Sequence, residues 1–308
     1  MHPDLQRKIL RIVKQRFNQI IIATHSVEII TGVEPREIVV VDKKSRKMQY
    51  ANNNKAVQNV IANLGSEHNL SLVRLGNIKK CVFVEGKDIR ILAKIQSSIY
   101  PNSHVMVDQL PTVPLGGWSR FDEALGAARL FYEETNGEVQ TFCILDRDYH
   151  TDEEITQLYV SASENHLDLH VWNKKEIENY LLSPHALARV AGVMQDEERC
   201  CSFYEELFIK MDELASNTKG SILDQFCLQD RSKNPSFYLP LVEERFAASW
   251  GTLEGRLSLA CGKDALSLVN QWIYDKYKKR SSMAKIISAL TADDIDEEMK
   301  SVINMLIR

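Results

Sequence analysis

The chain has 308 residues, of which 44% are hydrophobic and 26% charged, and its formal net charge is −4. These proportions are typical of a globular protein with two domains, or with one domain and additions. The slightly acidic balance gives no overall sign of nucleic-acid binding, although local basic patches would still allow it. The polar residues 1–4 are unlike a signal peptide, and no apolar stretch approaches the ~18 residues that a membrane-spanning helix needs.

The chain contains six cysteines, and none forms a C-x-x-C pair or has a histidine partner at zinc-site spacing. Cys81 and Cys143 lie inside apolar runs, where a free thiol behaves as a small hydrophobic side chain. This cysteine usage favours a reducing, cytoplasmic setting over a disulfide framework.

The first 65 residues predict a mixture of helices and strands. Residues 4–17 place apolar side chains at helical spacing, with Lys and Arg between them. The apolar run 19–24 predicts a buried strand that ends at His25. Further elements are expected in this order: a short helix from residue 27, strands at 37–42 and 48–52 on either side of a basic turn, and a helix at 56–64 that Gly65 ends.

Two short pieces of the next stretch share one pattern, an apolar run that ends abruptly in carboxylates. Residues 81–84 lead to Glu85, and residues 141–145 lead to Asp146 and Asp148. Such runs, rich in Val, Ile and Phe, are typical of strands that are buried on both faces of a parallel sheet. Because ligands and metals bind at the carboxyl ends of strands in open α/β sheets, we expect these carboxylates to converge at one sheet edge.

The residue types at this edge predict a metal site. Clustered carboxylates supply hard oxygen ligands, which suit Mg²⁺ or Mn²⁺, and their crowded charges require a cation. The glycine at position 86 lets the backbone turn tightly off the strand. Asp146 and Asp148 are two positions apart, so on a straight strand both side chains would point to the same face.

The surrounding pattern alternates between strand and helix, which predicts a compact, mostly parallel α/β sheet with helices on both faces. From residue 183 onward the pattern is mainly helical, with a long helix at 197–219 and with Pro235 and Pro240 in loops. The sheet region is expected to contain strands at 81–84, 103–108, 139–145 and 167–172, helices at 87–99, 120–134 and 152–163, and a loop at 111–118.

The segment around His25 resembles part of a known nucleotide-binding core. A strand followed by Thr-His-Ser resembles the switch loop of ABC-type ATPases, in which the histidine senses the γ-phosphate. In that family a segment similar to HPDLQ at residues 2–6 follows shortly after Walker B, so the resemblance implies that this chain begins just after Walker B. No G-x-x-x-x-G-K-[ST] segment is present, so ATP binding is expected only with a missing N-terminal ATPase part. Without the resemblance, His25 is a strand-end histidine with a structural hydrogen bond.

Two further segments, the glutamate–glycine pair at 85–86 and the D-x-D at 146–148, resemble the Toprim domain of topoisomerases, bacterial primases, recombination proteins and OLD-family ATP-dependent nucleases. A third segment, 172–182, which ends in EIENYLL, resembles the E-N-Y-L segment that is common in proteins with an ATPase and a Toprim domain. The upstream switch-loop segment narrows the resemblance to the OLD family, in which a Toprim domain follows an ABC-type ATPase. The domains that the resemblance implies are an ATPase remnant at 1–77, a Toprim domain at 78–184 and a helical C-terminal region at 185–308.

The function that this resemblance implies is Mg²⁺- or Mn²⁺-dependent cleavage of DNA, with two ions at the attacking and leaving oxygens of a phosphodiester. Glu85, as ligand or general base, and Asp146 would hold one ion, and Asp148 with Glu178 or Glu176 would hold the second. The partners would be DNA, the ATPase portion or an ATPase partner, and a second copy of the chain, since ABC-type cores pair. A role in defence against phages or mobile elements follows from the resemblance alone.

Several assignments stay open. Many OLD-family nucleases have an acidic residue four positions after the glutamate, where this chain has Ile89; Asp88 either replaces it as a ligand or caps the following helix. We prefer Glu178 to Glu176 as a ligand, and the alternative for either is a solvated carboxylate at a helix start. The OLD-family resemblance implies a lysine of the C-terminal region near the developing charge, and the candidates are Lys263 and Lys279; the alternative for each is a solvated residue at a basic helix end. The basic cluster around Lys279, with aromatic residues interleaved, would also suit a DNA backbone.

Two alternative functions also stay open. The first is a catalytically inert or ATPase-gated binding and assembly module, which need bind no divalent ion. The second is primase- or topoisomerase-like chemistry, which the switch-loop segment disfavours. We expect Tyr149 and Tyr180 to be packing residues rather than nucleophiles, Trp118 to lie in the core, and His150 to be a loop histidine rather than a metal ligand.

Overall fold

The structure, a computed structural model, describes residues 78–86, 88–100, 103 and 105–307. The chain divides into two compact units, residues 1–79 and 80–308. No helix in the described ranges is long and apolar enough to cross a membrane. Before residue 78, the structure describes only the positions 9–10, 12–14, 16–17, 19–24, 26, 29–30, 33, 37–42, 47–50 and 75.

The first unit contains an antiparallel hairpin. Strand β1 (Val39–Asp42) pairs with β2 (Lys47–Tyr50), as predicted on either side of the basic turn. The described positions between residues 9 and 16 are helical, which agrees with the predicted amphipathic helix. The predicted ATPase features at residues 2–6, at His25 and at 56–64 lie outside the described residues.

The strand predicted at 19–24 is wrong. These six residues form neither helix nor strand, and Ile21 is 91% exposed. No strand of the described chain pairs with this run, and a strand without a partner leaves its backbone N–H and C=O groups to water. An apolar run alone therefore did not suffice to predict a buried strand.

The second unit is built on a four-stranded parallel sheet, which confirms the predicted α/β class. Its strands are β3 (Lys80–Val84), β4 (Thr112–Pro114), β5 (Gln140–Leu145) and β6 (Leu167–Val171), in the order β4-β3-β5-β6. The central strands β3 and β5 are buried at every position after the first. The apolar runs that precede the carboxylates are therefore the core of this sheet.

The strand order creates a crevice between β3 and β5. The chain passes from β3 through α1 (Asp88–Ile99) to β4 on one side. It then crosses back through α2 (Phe121–Thr135) to β5 and continues through α3 (Asp152–Glu164) to β6. Because such crossovers are right-handed, this change of direction places α1 on the opposite face from α2 and α3. The loops after β3 and β5 diverge, which is where open α/β sheets bind their ligands.

The strand predicted at 103–108 is also wrong, since β4 lies within the predicted loop. The buried Gln96 side chain of α1 donates to the carbonyl of Val105 at 2.7 Å and accepts from the N–H of Val107 at 2.8 Å. Backbone groups that a neighbouring strand would use are thus bonded to a side chain, and Val107–Gln109 form a 3₁₀ turn. Pairing with β3 begins only where the N–H of Val82 reaches the carbonyl of Pro111, at 2.8 Å.

The rest of the second unit is helical, as predicted. The single helix expected at 197–219 is wrong, because a turn at Asp212–Leu214 divides it. The loops expected at Pro235 and Pro240 are also wrong, because both prolines lie in one helix. Pro235 occupies the first helical turn, where its missing N–H is harmless, and Pro240 follows inside that helix. The helices are α4 (Pro184–Ala191), α5 (Glu197–Met211), α6 (Ala215–Gln229), α7 (Pro235–Trp250), α8 (Leu253–Leu259), α9 (Gly262–Tyr277), α10 (Met283–Ala289) and α11 (Glu297–Ile307).

These helices pack against the sheet region. Helices α8 and α9 contact the 3₁₀ turn Ile177–Leu181, which follows β6, and α10 and α11 contact α1. Side chains from α9 therefore reach the carboxyl edge of the sheet. The domain boundaries at 77/78 and 184/185 stay predictions.

We expect Gln96→Leu to lower the free energy of unfolding by about 2 kcal/mol or more, because the carbonyl of Val105 and the N–H of Val107 lose their buried partner. Urea unfolding followed by circular dichroism measures this. The matched control is Gln157→Leu on the exposed side of α3, which should change stability by less than about 0.5 kcal/mol. Equal effects in the two variants would contradict the role given to Gln96.

Candidate metal centre

The two strand-end carboxylates predicted from the sequence meet at the crevice between β3 and β5. Glu85 follows β3 directly, and Asp146 follows β5 directly. The backbone N–H of Asp146 donates to Oε2 of Glu85 at 3.1 Å. The Asp146 side chain is only 6% exposed, and the Glu85 side chain is partly buried. This bond joins the ends of the two central strands.

The D-x-D segment also binds the turn that follows β6. Oδ1 of Asp146 accepts from the N–H of Ile177 at 3.1 Å, and the N–H of Asp148 donates to the carbonyl of Lys175 at 2.8 Å. Asp148 has a left-handed backbone, with φ of 47°. The expectation of a straight strand through both aspartates is therefore wrong, and their two carboxylates have different partners.

Asn179 fixes this turn against the C-terminal helices. Its Oδ1 accepts from the N–H of Glu176 at 3.0 Å, and its Nδ2 donates to the carbonyls of Leu257 at 2.6 Å and Ala260 at 2.9 Å. A Cβ at Gly262 would lie 2.9 Å from Oδ1 of Asn179. Only glycine therefore lets the N-terminus of α9 come this close to the turn.

Two lysines lie among the carboxylates. Nζ of Lys175 is 3.0 Å from Oδ1 of Asp148 and 3.4 Å from Oε2 of Glu176. In the first turn of α9, the N–H of Lys263 donates to Oε1 of Glu176 at 2.9 Å, and its Nζ is 3.1 Å from Oε2. The Lys263 ammonium also lies 3.6 Å from Oε1 of Glu178. The structure thus brings one predicted lysine, Lys263, to the site.

The other predicted lysine, Lys279, lies elsewhere. Lys279 follows the last turn of α9, whereas Lys263 lies in the first turn, and the two turns are roughly 20 Å apart along the helix axis. The Lys279 side chain lies beside Gly192, the residue after α4, where a Cβ on that glycine would be 3.7 Å from Cε. Of the nearby aromatic residues, Trp272 and Tyr277 pack on Phe203. The basic end of α9 is therefore a separate surface from the carboxylate site.

Three carboxylates at the site hold their protons unusually tightly. Burial, together with the charges of Asp88 and Glu85, raises the pKa of Asp146 to about 8. Burial and the charge of Asp148 raise the pKa of Glu85 to about 7. Burial and the charge of Glu178 raise the pKa of Asp88 to about 6. These mutual effects show that the carboxylates of this group lie close together.

Glu176 behaves in the opposite way. Burial opposes its charged form, but the positive charges of Lys175 and Lys263 hold its pKa below the usual value. Burial lowers the pKa of both lysines, but nearby carboxylates raise it above the usual value: Glu176 and Asp148 act on Lys175, and Glu176 and Glu178 act on Lys263. The site therefore contains one part that the two lysines neutralise, Asp148 and Glu176. In the other part, Glu85, Asp88, Asp146 and Glu178, the ion pair of Lys263 with Glu178 at 3.6 Å is the only one among the described residues.

Two oxygen atoms in the second part are unpartnered. Oδ2 of Asp88, in the first turn of α1, and Oε2 of Glu178 are buried and have no hydrogen-bond partner within the described residues. Their residues are 6% and 8% exposed. A buried carboxylate oxygen without a partner is unfavourable unless a proton or a cation is supplied. Asp88 is therefore buried beside the other carboxylates, and its role as a ligand or as a cap of α1 stays a prediction.

The donor set suits a hard divalent cation. Within the part of the chain that the structure describes, no group of three His, Cys, Asp or Glu side chains is arranged to hold a metal ion. The lysines engage Asp148 and Glu176. Carboxylate oxygens are nevertheless the ligands that Mg²⁺ and Mn²⁺ prefer, and two such oxygens are unpartnered. The residue types thus fit a metal that their present side-chain positions do not enclose.

The loop after β4 closes one side of the crevice. Gly117 has φ of 126°, and a Cβ there would lie 3.6 Å from Oε1 of Glu85. The indole N–H of Trp118 donates to the carbonyl of Asp146 at 2.8 Å, and its ring stacks on His150 with centroids 3.5 Å apart. Trp118, expected in the core, is thus half-buried beside the D-x-D segment.

The loop position expected for His150 and the burial expected for the two tyrosines agree with the structure, whereas their exclusion as a metal ligand and as nucleophiles stays a prediction. His150 lies 3.1 Å from Oε2 of Glu154 through its Nδ1, so it is a loop histidine with a carboxylate partner of its own. Tyr149 and Tyr180 are each 4% exposed, and the hydroxyl of Tyr149 donates to the carbonyl of Leu259 at 3.0 Å. Both tyrosines are packing residues.

Sequence reasoning missed Lys175. Its signal in the sequence is its place directly before the glutamate of the EIENYLL segment. A lysine next to a glutamate is usually a solvated pair, so this signal is weak without the fold. The N–H of Lys175 donates to the carbonyl of Ser258 at 3.0 Å, a contact between distant parts of the chain.

No protein-family profile matches the chain, and no curated protein or solved structure is significantly similar to it. The OLD-family resemblance therefore stays a prediction from the motifs.

We expect the melting temperature of the protein in a chelator to fall as pH rises from about 5 to about 8. The folded-state pKa values of Glu85, Asp88 and Asp146 are raised, so their contribution to stability is fully present below about pH 4 and is lost as pH passes through the folded values. Asp146→Asn should flatten this fall, since it has no proton to lose. Thermal unfolding at a series of pH values measures this dependence. An equally steep fall of the melting temperature in Asp146→Asn would contradict the raised pKa assigned to Asp146.

The matched control for this measurement is Asp122→Asn, on the exposed side of α2. It should leave the pH dependence of the melting temperature as it is in the unmodified chain.

Proposed function

We propose that this chain is the Toprim-type nuclease part of an OLD-like ATPase–nuclease and hydrolyses DNA phosphodiesters with Mg²⁺ or Mn²⁺. One observation carries the proposal. A glutamate and a D-x-D follow two adjacent central strands of a parallel sheet, and the N–H of Asp146 bonds the carboxylate of Glu85. The position between β3 and β5, where the strand order changes direction, is a binding position in sheets of this kind.

The residues that would hold the divalent ion are Glu85, Asp88, Asp146 and Glu178, because the last three are buried, Glu85 is partly buried beside Asp146, and Asp88 and Glu178 each have one unpartnered oxygen among the described residues. When bound, the ion would polarise a phosphoryl oxygen and lower the pKa of a water ligand. This chain's own residues would position the scissile phosphate and offset its charge.

Glu85 and Lys263 have further roles in this proposal. Glu85 would act either as a ligand or as general base: in the metal-free protein its pKa is raised to about 7, and a carboxylate with such a pKa that does not bind the ion can accept a proton from water at neutral pH. The Lys263 side chain is 63% exposed and remains charged, since the neighbouring glutamates raise its pKa against the effect of burial. Its ammonium is therefore available to the charge that develops on a phosphate.

One observation favours a second candidate function, an assembly module that binds no metal. Asp148 and Glu176 are already paired with lysines, and no three potential ligands among the described residues are arranged around one point. A site neutralised in this way would stabilise the fold and contact a partner without catalysing a reaction. The two functions differ in whether divalent ions and DNA are bound at all.

We expect the purified chain to cut supercoiled or linear plasmid DNA with Mg²⁺ or Mn²⁺ and to stop when a chelator is added. Asp146→Asn should reduce the rate by about two orders of magnitude or more, because it removes a charged oxygen at the centre of the site. Gel assays of cleavage measure this, with exposed Asp122→Asn as the matched control at full activity.

Two results would count against the nuclease proposal. One is no cleavage by a folded chain with either ion. The other is cleavage that is equally fast in Asp146→Asn, which would point to a contaminating nuclease.

A further inference from the structure

We propose that the ammonium of Lys175 takes the place of a second metal ion, so that the site binds one divalent ion through Glu85, Asp88, Asp146 and Glu178. This inference rests on the proposed metal dependence. It departs from the expectation of two ions, which the sequence resemblance implied. Its basis is the division of the site into a part that the two lysines neutralise and a part whose charge Lys263 offsets only in part.

Lys175 is fixed where a cation is needed. Its Nζ lies between Oδ1 of Asp148, at 3.0 Å, and Oε2 of Glu176, at 3.4 Å, and its side chain is 10% exposed. Its backbone is bonded on both sides, since its N–H donates to Ser258 and its carbonyl accepts from Asp148. A lysine held in this way cannot leave the site without breaking buried contacts.

The carboxylate of Glu176 has little capacity for a metal ion. Its Oε1 accepts from the N–H of Lys263 at 2.9 Å and lies 3.4 Å from Sγ of Cys261. Its Oε2 faces the ammonium groups of both Lys263 and Lys175. Asp148 and Glu176, the two residues expected at a second ion, thus carry two negative charges opposite two positive ones.

The other four carboxylates are compensated only in part, by the charge of Lys263. In the described part of the chain, no ion pair joins Glu85, Asp88 or Asp146 to a basic side chain, and Glu178 is approached by Lys263 at 3.6 Å on one oxygen. The second oxygen of Glu178 and one oxygen of Asp88 have no partner there. One divalent ion would offset this charge and supply the missing partner for these buried oxygens.

A second ion would lie about 4 Å from the first in a two-metal site. At this edge, the carboxylates left for it are the two that Lys175 already contacts. Two cations close together in a buried site repel each other strongly, and the lysine is covalently held. The ammonium therefore excludes the second ion while it remains charged.

The number of Mn²⁺ ions bound per chain tests this inference without reference to activity. Electron paramagnetic resonance of free Mn²⁺ during titration of the full chain should give one tight site. Two tight sites in the unmodified chain would overturn the inference and leave the nuclease proposal intact. No binding at all would overturn the proposed metal dependence, and the inference with it.

Variants sharpen the test. Lys175→Met keeps the length of the side chain but removes its charge, and we expect it to bind two Mn²⁺ ions; Lys94→Met on the exposed side of α1 is the matched control and should bind one. A folded Lys175→Met that still binds one ion would contradict the role of the ammonium.

A second pair of variants serves if Lys175→Met fails to fold. Glu178→Gln should weaken the single site by about tenfold or more, since it removes a ligand. Asp148→Asn should retain one tight site. If Asp148→Asn loses a Mn²⁺ ion instead, Asp148 is a ligand and the inference is wrong.

Discussion

The hydrogen bonds of Asp146 hold the candidate site together. Its backbone N–H binds the side chain of Glu85 at the end of β3, its carboxylate binds the N–H of Ile177 after β6, and its carbonyl accepts the indole N–H of Trp118. Each partner belongs to a different element of the second unit. The positions of the loop after β4 and of the turn after β6 both depend on this one residue, which the buried strand β5 places at the sheet edge.

Charge is the second constraint on the site. Burial raises the pKa of Asp146 and Glu85, and the neighbouring carboxylates raise them further, so the cluster is unfavourable as an assembly of free anions. The chain offsets part of this charge itself with Lys175 and Lys263, which neutralise Asp148 and Glu176. What remains is the group of Glu85, Asp88, Asp146 and Glu178, whose charge Lys263 offsets only in part, and a divalent ion would stabilise this group.

The sequence predicted the sheet edge because its signal is local. Apolar runs that end in Glu85 and Asp146 identify two buried strands and the side chains at their ends. The errors arise where a side chain of another element, or the absence of a partner strand, determines the backbone conformation. Gln96 binds the segment that was predicted as a strand, and residues 19–24 have no strand beside them in the described chain.

The same reason explains Lys175, Asn179 and Gly262. The ion pairs of Lys175 depend on contacts between the turn after β6 and the end of α8, about 80 positions away in the chain. Asn179 donates to the carbonyls of Leu257 and Ala260 at the same end of α8. The absence of a side chain at Gly262 lets the start of α9 approach Asn179 closely. Such contacts have no periodic pattern, so they become visible only in the fold.

The most direct measurement of the central claim is the position of Mn²⁺ in crystals of the chain, determined by anomalous X-ray scattering. The account predicts an anomalous peak at the carboxyl edge of the sheet, coordinated by oxygens of Glu85 and Asp146, while Lys175 remains between Asp148 and Glu176. A well-ordered crystal soaked in Mn²⁺ that shows no peak at this edge, or a peak coordinated only by other residues, would contradict it.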